Sequence, residues 1–129
     1  MTDLKTSVYL ACPFHAPEWP IVVARKRAAS LTTMELISQG HTVICPLTSG
    51  WEFHNLNPGW SPPAGWYEYD LKLIDLVEEV HVLCIPGFAQ STGVKLEIDY
   101  AEDTKKKVHF ITKEKYTQFL PPTLVEALQ

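Results

Sequence analysis

Apolar positions along the chain alternate between two periods, and the alternation predicts a run of strands and helices. Ser7-Val8-Tyr9-Leu10-Ala11-Cys12 is a continuous apolar run of strand length, ended by Pro13, which has no N–H to give to a central ladder. From Ile21 the spacing changes: Ala24, Ala28, Leu31 and Met34 recur at helical intervals, with Arg25, Lys26 and Glu35 on other faces. Gly40 stands where a carboxyl-terminal cap is expected. Thr42-Val43-Ile44-Cys45 reads as a second strand, again closed by a proline, Pro46. The stretch from Leu47 to Gly65, with Trp51, Phe53, Trp60, Pro58, Pro62 and Pro63, shows neither period and is expected to be an irregular aromatic loop. A loop of that length in a small domain is either a binding segment or a surface loop whose rings fold back on the core.

Helical spacing returns from Trp66 to Glu79, with Leu71, Ile74 and Val77 inward and Asp70 near the first turn. Val80 to Ile85 is a buried strand, Pro86 to Gln90 its exit loop, and Ser91 to about Lys106 the next helix. Val108 to Ile111 is a fourth strand, and a short helix from Thr123 to Leu128 closes the chain. This order predicts a single α/β domain over residues 1–129. The expected architecture is a doubly wound, mainly parallel sheet of four to five strands with helices on both faces, Rossmann-like or flavodoxin-like.

Composition narrows the partners. The chain has 129 residues and a net charge of −4, and its basic residues are dispersed, which argues against a nucleic-acid groove. Lys105-Lys106-Lys107 reads as a solvated helix end. No apolar stretch reaches the ~20 residues that span a bilayer, and Met1-Thr2-Asp3-Leu4-Lys5 is not a signal-peptide start, so a soluble cytoplasmic protein is expected. Cys12, Cys45 and Cys84 sit in or beside strands and suit buried hydrophobes better than a disulfide framework. Cys12 and His15 have a spacing that a metal site uses, but no second pair accompanies them, and bound metal is not expected. His41, His54, His81 and His109 show no ligand spacing along the chain.

The chemistry concentrates at the start of the helix after the third strand. Ser91 can cap that helix or offer its hydroxyl, with the free backbone N–H groups, to an anion. Gly93 precedes Glu97 by one turn on the same face, so its missing side chain leaves room for a ligand beside the carboxylate. Glu97 reads as well as a solvated helix residue, and Asp70 as an ordinary first-turn acid. The two carboxylates gain meaning only together.

Four segments in order resemble the nucleoside 2-deoxyribosyltransferase superfamily: Tyr9 to Phe14 after the first strand, Gly40-His41-Thr42-Val43 with Pro46, Tyr69-Asp70-Leu71, and Ser91-Thr92-Gly93-Val94 with Glu97. The nearest likeness is to an uncharacterised bacterial and phage branch. The resemblance implies cleavage of an N-glycosidic bond, with Glu97 as nucleophile and Asp70 assisting at base or sugar. It also implies Tyr9, Pro13, Phe14, Ser91 and Gly93 around the substrate, a nucleoside or nucleotide as ligand, no cofactor, and a homo-oligomer, dimer or tetramer. Typical transferases carry an aspartate where this chain has Ser91, whereas the related nucleoside 5′-monophosphate N-hydrolases carry a serine, which favours a hydrolase. Pro13-Phe14-His15-Ala16 does not reproduce those hydrolases' phosphate loop; His15 or Arg25 can stand in, although Arg25 reads equally as a solvated helix residue. The tail from Pro121 to Gln129 lacks the asparagine and aromatic segment with which transferases complete a neighbouring subunit's site. The alternative is a nucleotide-binding or sensing module without turnover.

Overall fold

The structure, a computed structural model, describes residues 5–129, and all but one residue of the Met1–Lys5 start lies outside the described residues. Four parallel strands are present among them: β1 (Ser7–Ala11), β2 (Thr42–Ile44), β3 (Glu79–Leu83) and β4 (Lys107–Ile111). Their order across the sheet is β2-β1-β3-β4. The helices are α1 (Trp19–Ser38), α2 (Pro46–Leu56), α3 (Trp66–Asp75), α4 (Thr92–Asp103), α5 (Lys113–Tyr116) and α6 (Pro122–Ala127). This is the doubly wound α/β arrangement expected from the alternation of periods.

Period-two alternation divides the core into two clusters, one on each face of the sheet. Val8, Leu10 and Leu83 point to one face and pack with Ala24, Ala28 and Ala29 of α1, Tyr116 of α5 and Leu124 of α6. Tyr9, Ala11, Val80 and Val82 point to the other and pack with Ile74 of α3 and with Val94 and Ala101 of α4. Each fully buried Val or Leu side chain here contributes about 1.5–3 kcal/mol. The alanines let α1 approach the sheet closely.

Three expectations are corrected. The segment after β2 is not structureless: residues 46–56 form α2, with Pro46 in its first turn, and only residues 57–65 remain irregular. None of its residues is fully buried, so it carries no apolar stripe for periodicity to find. In α1 the buried stripe runs through Arg25, Ala28, Ala29, Thr32 and Leu36, and Met34 is exposed. Arg25 is therefore not a solvated helix residue. The histidines that show no spacing along the chain are also brought together, since His81 of β3 pairs in register with His109 of β4. No described helix is long and apolar enough to cross a membrane.

Candidate active site

The crossover from β1 goes through α1 to β2 on one side, whereas the chain beyond β3 goes through α4 to β4 on the other. The winding therefore reverses between β1 and β3, and the loops beyond their carboxyl ends diverge to leave a crevice. A cavity of about 660 Å³ occupies that position. Tyr9, Phe14, Asp70, Ser91, Gly93 and Glu97 all border it, from three separate parts of the chain. Pro13 is buried but not on its wall.

Tyr9 reaches the crevice because its side chain shares the face of Val80 and Val82, beneath α3 and α4. Its hydroxyl interacts with both Glu97 and Asp70. Glu97 is buried on the inner side of α4, one turn after Gly93, and burial pushes its carboxyl up to about 7. The hydrogen bond with Tyr9 opposes that rise, and the charge of Asp70 adds to it. Asp70, on α3, is pushed up to about 6 by burial, again opposed by Tyr9. Its Oδ1 is buried and has no hydrogen-bond partner. The Tyr9 phenol itself is held far above its ordinary value by burial and by the two carboxylates, so it stays a neutral donor.

The charge of Asp70 adds to the rise of Glu97, and between their values the pair holds one proton, mainly on Glu97, with Asp70 ionised. One acid and one carboxylate then border the same cavity. A displacement by Glu97 uses the less populated form of this pair, in which the proton has moved to Asp70.

Ser91 caps α4, its Oγ accepting the Val94 N–H at 3.2 Å. Its hydroxyl proton remains free for a ligand acceptor. A side chain at Gly93 would meet only Ser91 Oγ, at 4.0 Å, so no packing demands a glycine there, and the space it leaves belongs to the cavity.

Arg25 is the site residue that spacing alone placed wrongly. Its Nη1 donates to the His15 carbonyl at 2.6 Å and its Nη2 to the Pro86 carbonyl at 3.1 Å, tying the loops after β1 and β3 together at the cavity edge. Its Nε is buried without a partner, and no carboxylate pairs with it among the described residues. Gly87 makes this possible: its φ of +97° suits glycine, and a Cβ there would sit 2.2 Å from Nη2. A buried cation with no ion-pair partner keeps its charge available to an anion at that edge of the cavity.

The opposite wall is aromatic. Trp51 of α2 stacks on Trp19 at 5.4 Å between centroids and meets Phe14 edge-on at 6.2 Å. Trp60 packs edge-on against Trp66 at 5.8 Å. Trp51, Trp60 and Trp66 all line the cavity. Cys12 borders it too, its thiol pushed well up by burial, and with His15 it joins no group of three potential metal ligands among the described residues.

A crevice at the winding reversal of a parallel sheet, holding a carboxyl pair, a buried tyrosine and a buried arginine, defines a Rossmann-like α/β domain with an acidic ligand pocket. Residues 6–113 match the family model described as a domain of unknown function (DUF1937), and the chain belongs to that family. The match spans every strand and reaches from Tyr9 to Glu97 and beyond. No curated protein matches the sequence.

Proposed function

We propose that this pocket cleaves the N-glycosidic bond of a nucleoside 5′-monophosphate, with water as the favoured acceptor. The observation that carries the reading is the pair of buried Glu97 and half-buried Asp70, sharing Tyr9 and raised toward neutrality at the edge of one cavity. In the form of the pair whose proton sits on Asp70, ionised Glu97 attacks the anomeric carbon as the C–N bond breaks, and the bond's electron pair leaves with the base. Asp70 supplies the proton that the departing base nitrogen takes up. Water, deprotonated by Asp70, then attacks the same carbon and releases Glu97, restoring both groups. A free base as acceptor in that second step makes the same chemistry a deoxyribosyl transfer.

The remaining walls suit the rest of a nucleotide. Arg25 and the Ser91 hydroxyl at the amino end of α4 offer positive charge and donors to a phosphate. Trp51, Trp60 and Trp66 offer ring faces for a base, without favouring one base over another. No cofactor is needed for these steps. Exposed Phe53, Leu56 and Trp60 support assembly as a homo-oligomer, a dimer or tetramer, which light scattering reads directly. The free thiols suit a reducing compartment such as the cytoplasm.

The test is base release from a panel of nucleosides and their 5′-monophosphates by wild type and by Glu97→Ala. The expected result is release from monophosphates by wild type only, with Arg25→Met narrowing the gap between monophosphate and nucleoside. Tight nucleotide binding with no base released by wild type refutes turnover and leaves a binding or sensing module.

A further inference from the structure

A second cluster of chemistry lies on the other face of the sheet. Glu79 and His81 stand two apart on β3 and so share a face, the one that carries Val8 and Leu10 rather than Tyr9. His109 on β4 pairs in register with His81 and projects to that same face. The group sits toward the amino ends of the strands, whereas the acidic pocket lies beyond the carboxyl ends. It takes no part in the chemistry proposed above.

The two imidazoles turn the same atom to the same carboxylate. His81 Nε2 lies 3.2 Å from Glu79 Oε1, and His109 Nε2 lies 3.3 Å from Glu79 Oε2. One ligand atom from each of the three residues falls within 4.8 Å of the others. A zinc ion with ligands at about 2.0–2.1 Å in a tetrahedron holds neighbouring ligand atoms about 3.3 Å apart. The two imidazole–carboxylate separations, to one oxygen each, are of that size, and the third lies within 4.8 Å.

Outer contacts hold the set in place. Thr6 Oγ1 donates to Glu79 Oε1 at 2.9 Å. His41, anchored through Nδ1 at 3.1 Å from the Thr6 carbonyl, packs its ring edge-on against His81, 5.6 Å between centroids. The side chains of Glu79 and His81 are only 14% and 10% exposed, while that of His109 is 46% exposed and faces the solvent. Such hydrogen-bonded supports are what orient the ligands of real metal centres.

We propose that Glu79, His81 and His109 form a binding site for a divalent transition-metal ion, zinc by its ligand set, with the fourth position left to water on the solvent side. Entry of the ion takes the place of the two Nε2 protons, and each neutral ring then carries its proton on Nδ1. Burial holds the His81 imidazole below its ordinary value. Burial raises the Glu79 carboxyl, but hydrogen bonds from His81, Thr6 and His109 outweigh it and hold the group ionised.

Chelator-treated protein is titrated with zinc chloride by calorimetry, and with cobalt(II) as a spectroscopic probe. The expected results are a single equimolar site and the intense visible absorption of four-coordinate cobalt. His109→Ala and Glu79→Gln, the second keeping the carboxylate's shape without its charge, each weaken zinc by at least roughly tenfold. His15→Ala and Glu97→Gln leave it unchanged, which separates this site from the acidic pocket. Absence of a saturable equimolar site in the wild type overturns the proposal. So does zinc affinity undiminished in His109→Ala and Glu79→Gln, or lost in Glu97→Gln.

Discussion

Replacing Glu97 by glutamine is expected to stabilise the fold while it abolishes turnover, and the stabilisation has a defined pH window. Burial lifts the Glu97 carboxyl from its ordinary 4.5 to about 7. Between those values the folded protein keeps a proton that the unfolded chain has lost, so raising the pH through the window draws the equilibrium toward unfolding. Below pH 4.5 the carboxyl is protonated in both states and costs nothing; above pH 7 the cost is complete. A rise of that size corresponds to about 3 kcal/mol, an upper bound because water reaches the cavity and relaxes the charge. Glutamine has the same shape and no charge to bury, so it removes the cost. At pH 8 the variant gains up to about 3 kcal/mol, or roughly 10 °C in melting temperature for a domain of this size, and near pH 4.5 the advantage vanishes. Urea or thermal melts of both proteins at the two pH values measure this directly. A variant no more stable than wild type at pH 8, or equally more stable at both, refutes the claim that Glu97 is a buried charge held for function.

Tyr9→Phe removes the hydroxyl that opposes the rise of both carboxyls, so Glu97 and Asp70 move up together. The acidic limb of the pH–rate profile for base release shifts to higher pH, and a limb that stays in place or moves down counts against the shared hydrogen bond. Gly87→Ala combines a φ of +97° with a Cβ 2.2 Å from Arg25 Nη2, and is expected to lose about 1–3 kcal/mol in urea denaturation. It should also weaken monophosphates more than nucleosides, because the displaced guanidinium is the proposed phosphate anchor. Gly93→Ala meets nothing closer than 4.0 Å and replaces a helical glycine, so stability holds or rises by up to ~1 kcal/mol. Substrate affinity falls in the same variant, and unchanged Michaelis constants would show that the ligand does not use this space.

Legibility of the sequence followed burial. The strands β1 and β3 are buried along nearly their whole length and read as apolar runs, and the helices α3 and α4 carry an apolar stripe toward the sheet. The helix α2 buries nothing fully, so its sequence of Trp51, Phe53 and His54 carries no inward stripe, and Pro46 reads as a strand stop rather than a helix start. Ser91, Gly93 and Glu97 stood out as site candidates because a helix start after a strand is recognisable locally, whereas Asp70, Tyr9 and Phe14 entered through the family resemblance. Arg25 was legible only as one of two equal alternatives, since a basic residue in an amphipathic helix is normally solvated; its burial depends on two carbonyls, from His15 and Pro86, distant in the chain. The histidine cluster was missed for a different reason. Its signal is a two-residue step on β3 combined with a cross-strand register, and register becomes visible only once the strands are paired.

The aromatic wall has a practical consequence. All four tryptophans of the chain, Trp19, Trp51, Trp60 and Trp66, stand on the cavity wall or stack directly on a ring that does. The protein's ultraviolet emission therefore originates almost entirely at one end of the sheet. A molecule entering the crevice alters the surroundings of these indoles together, and the pocket can be followed optically without any attached dye. Zinc arriving at the proposed histidine site, toward the amino ends of the strands, is expected to leave that emission nearly unchanged, so one spectrum distinguishes occupancy of the two ends.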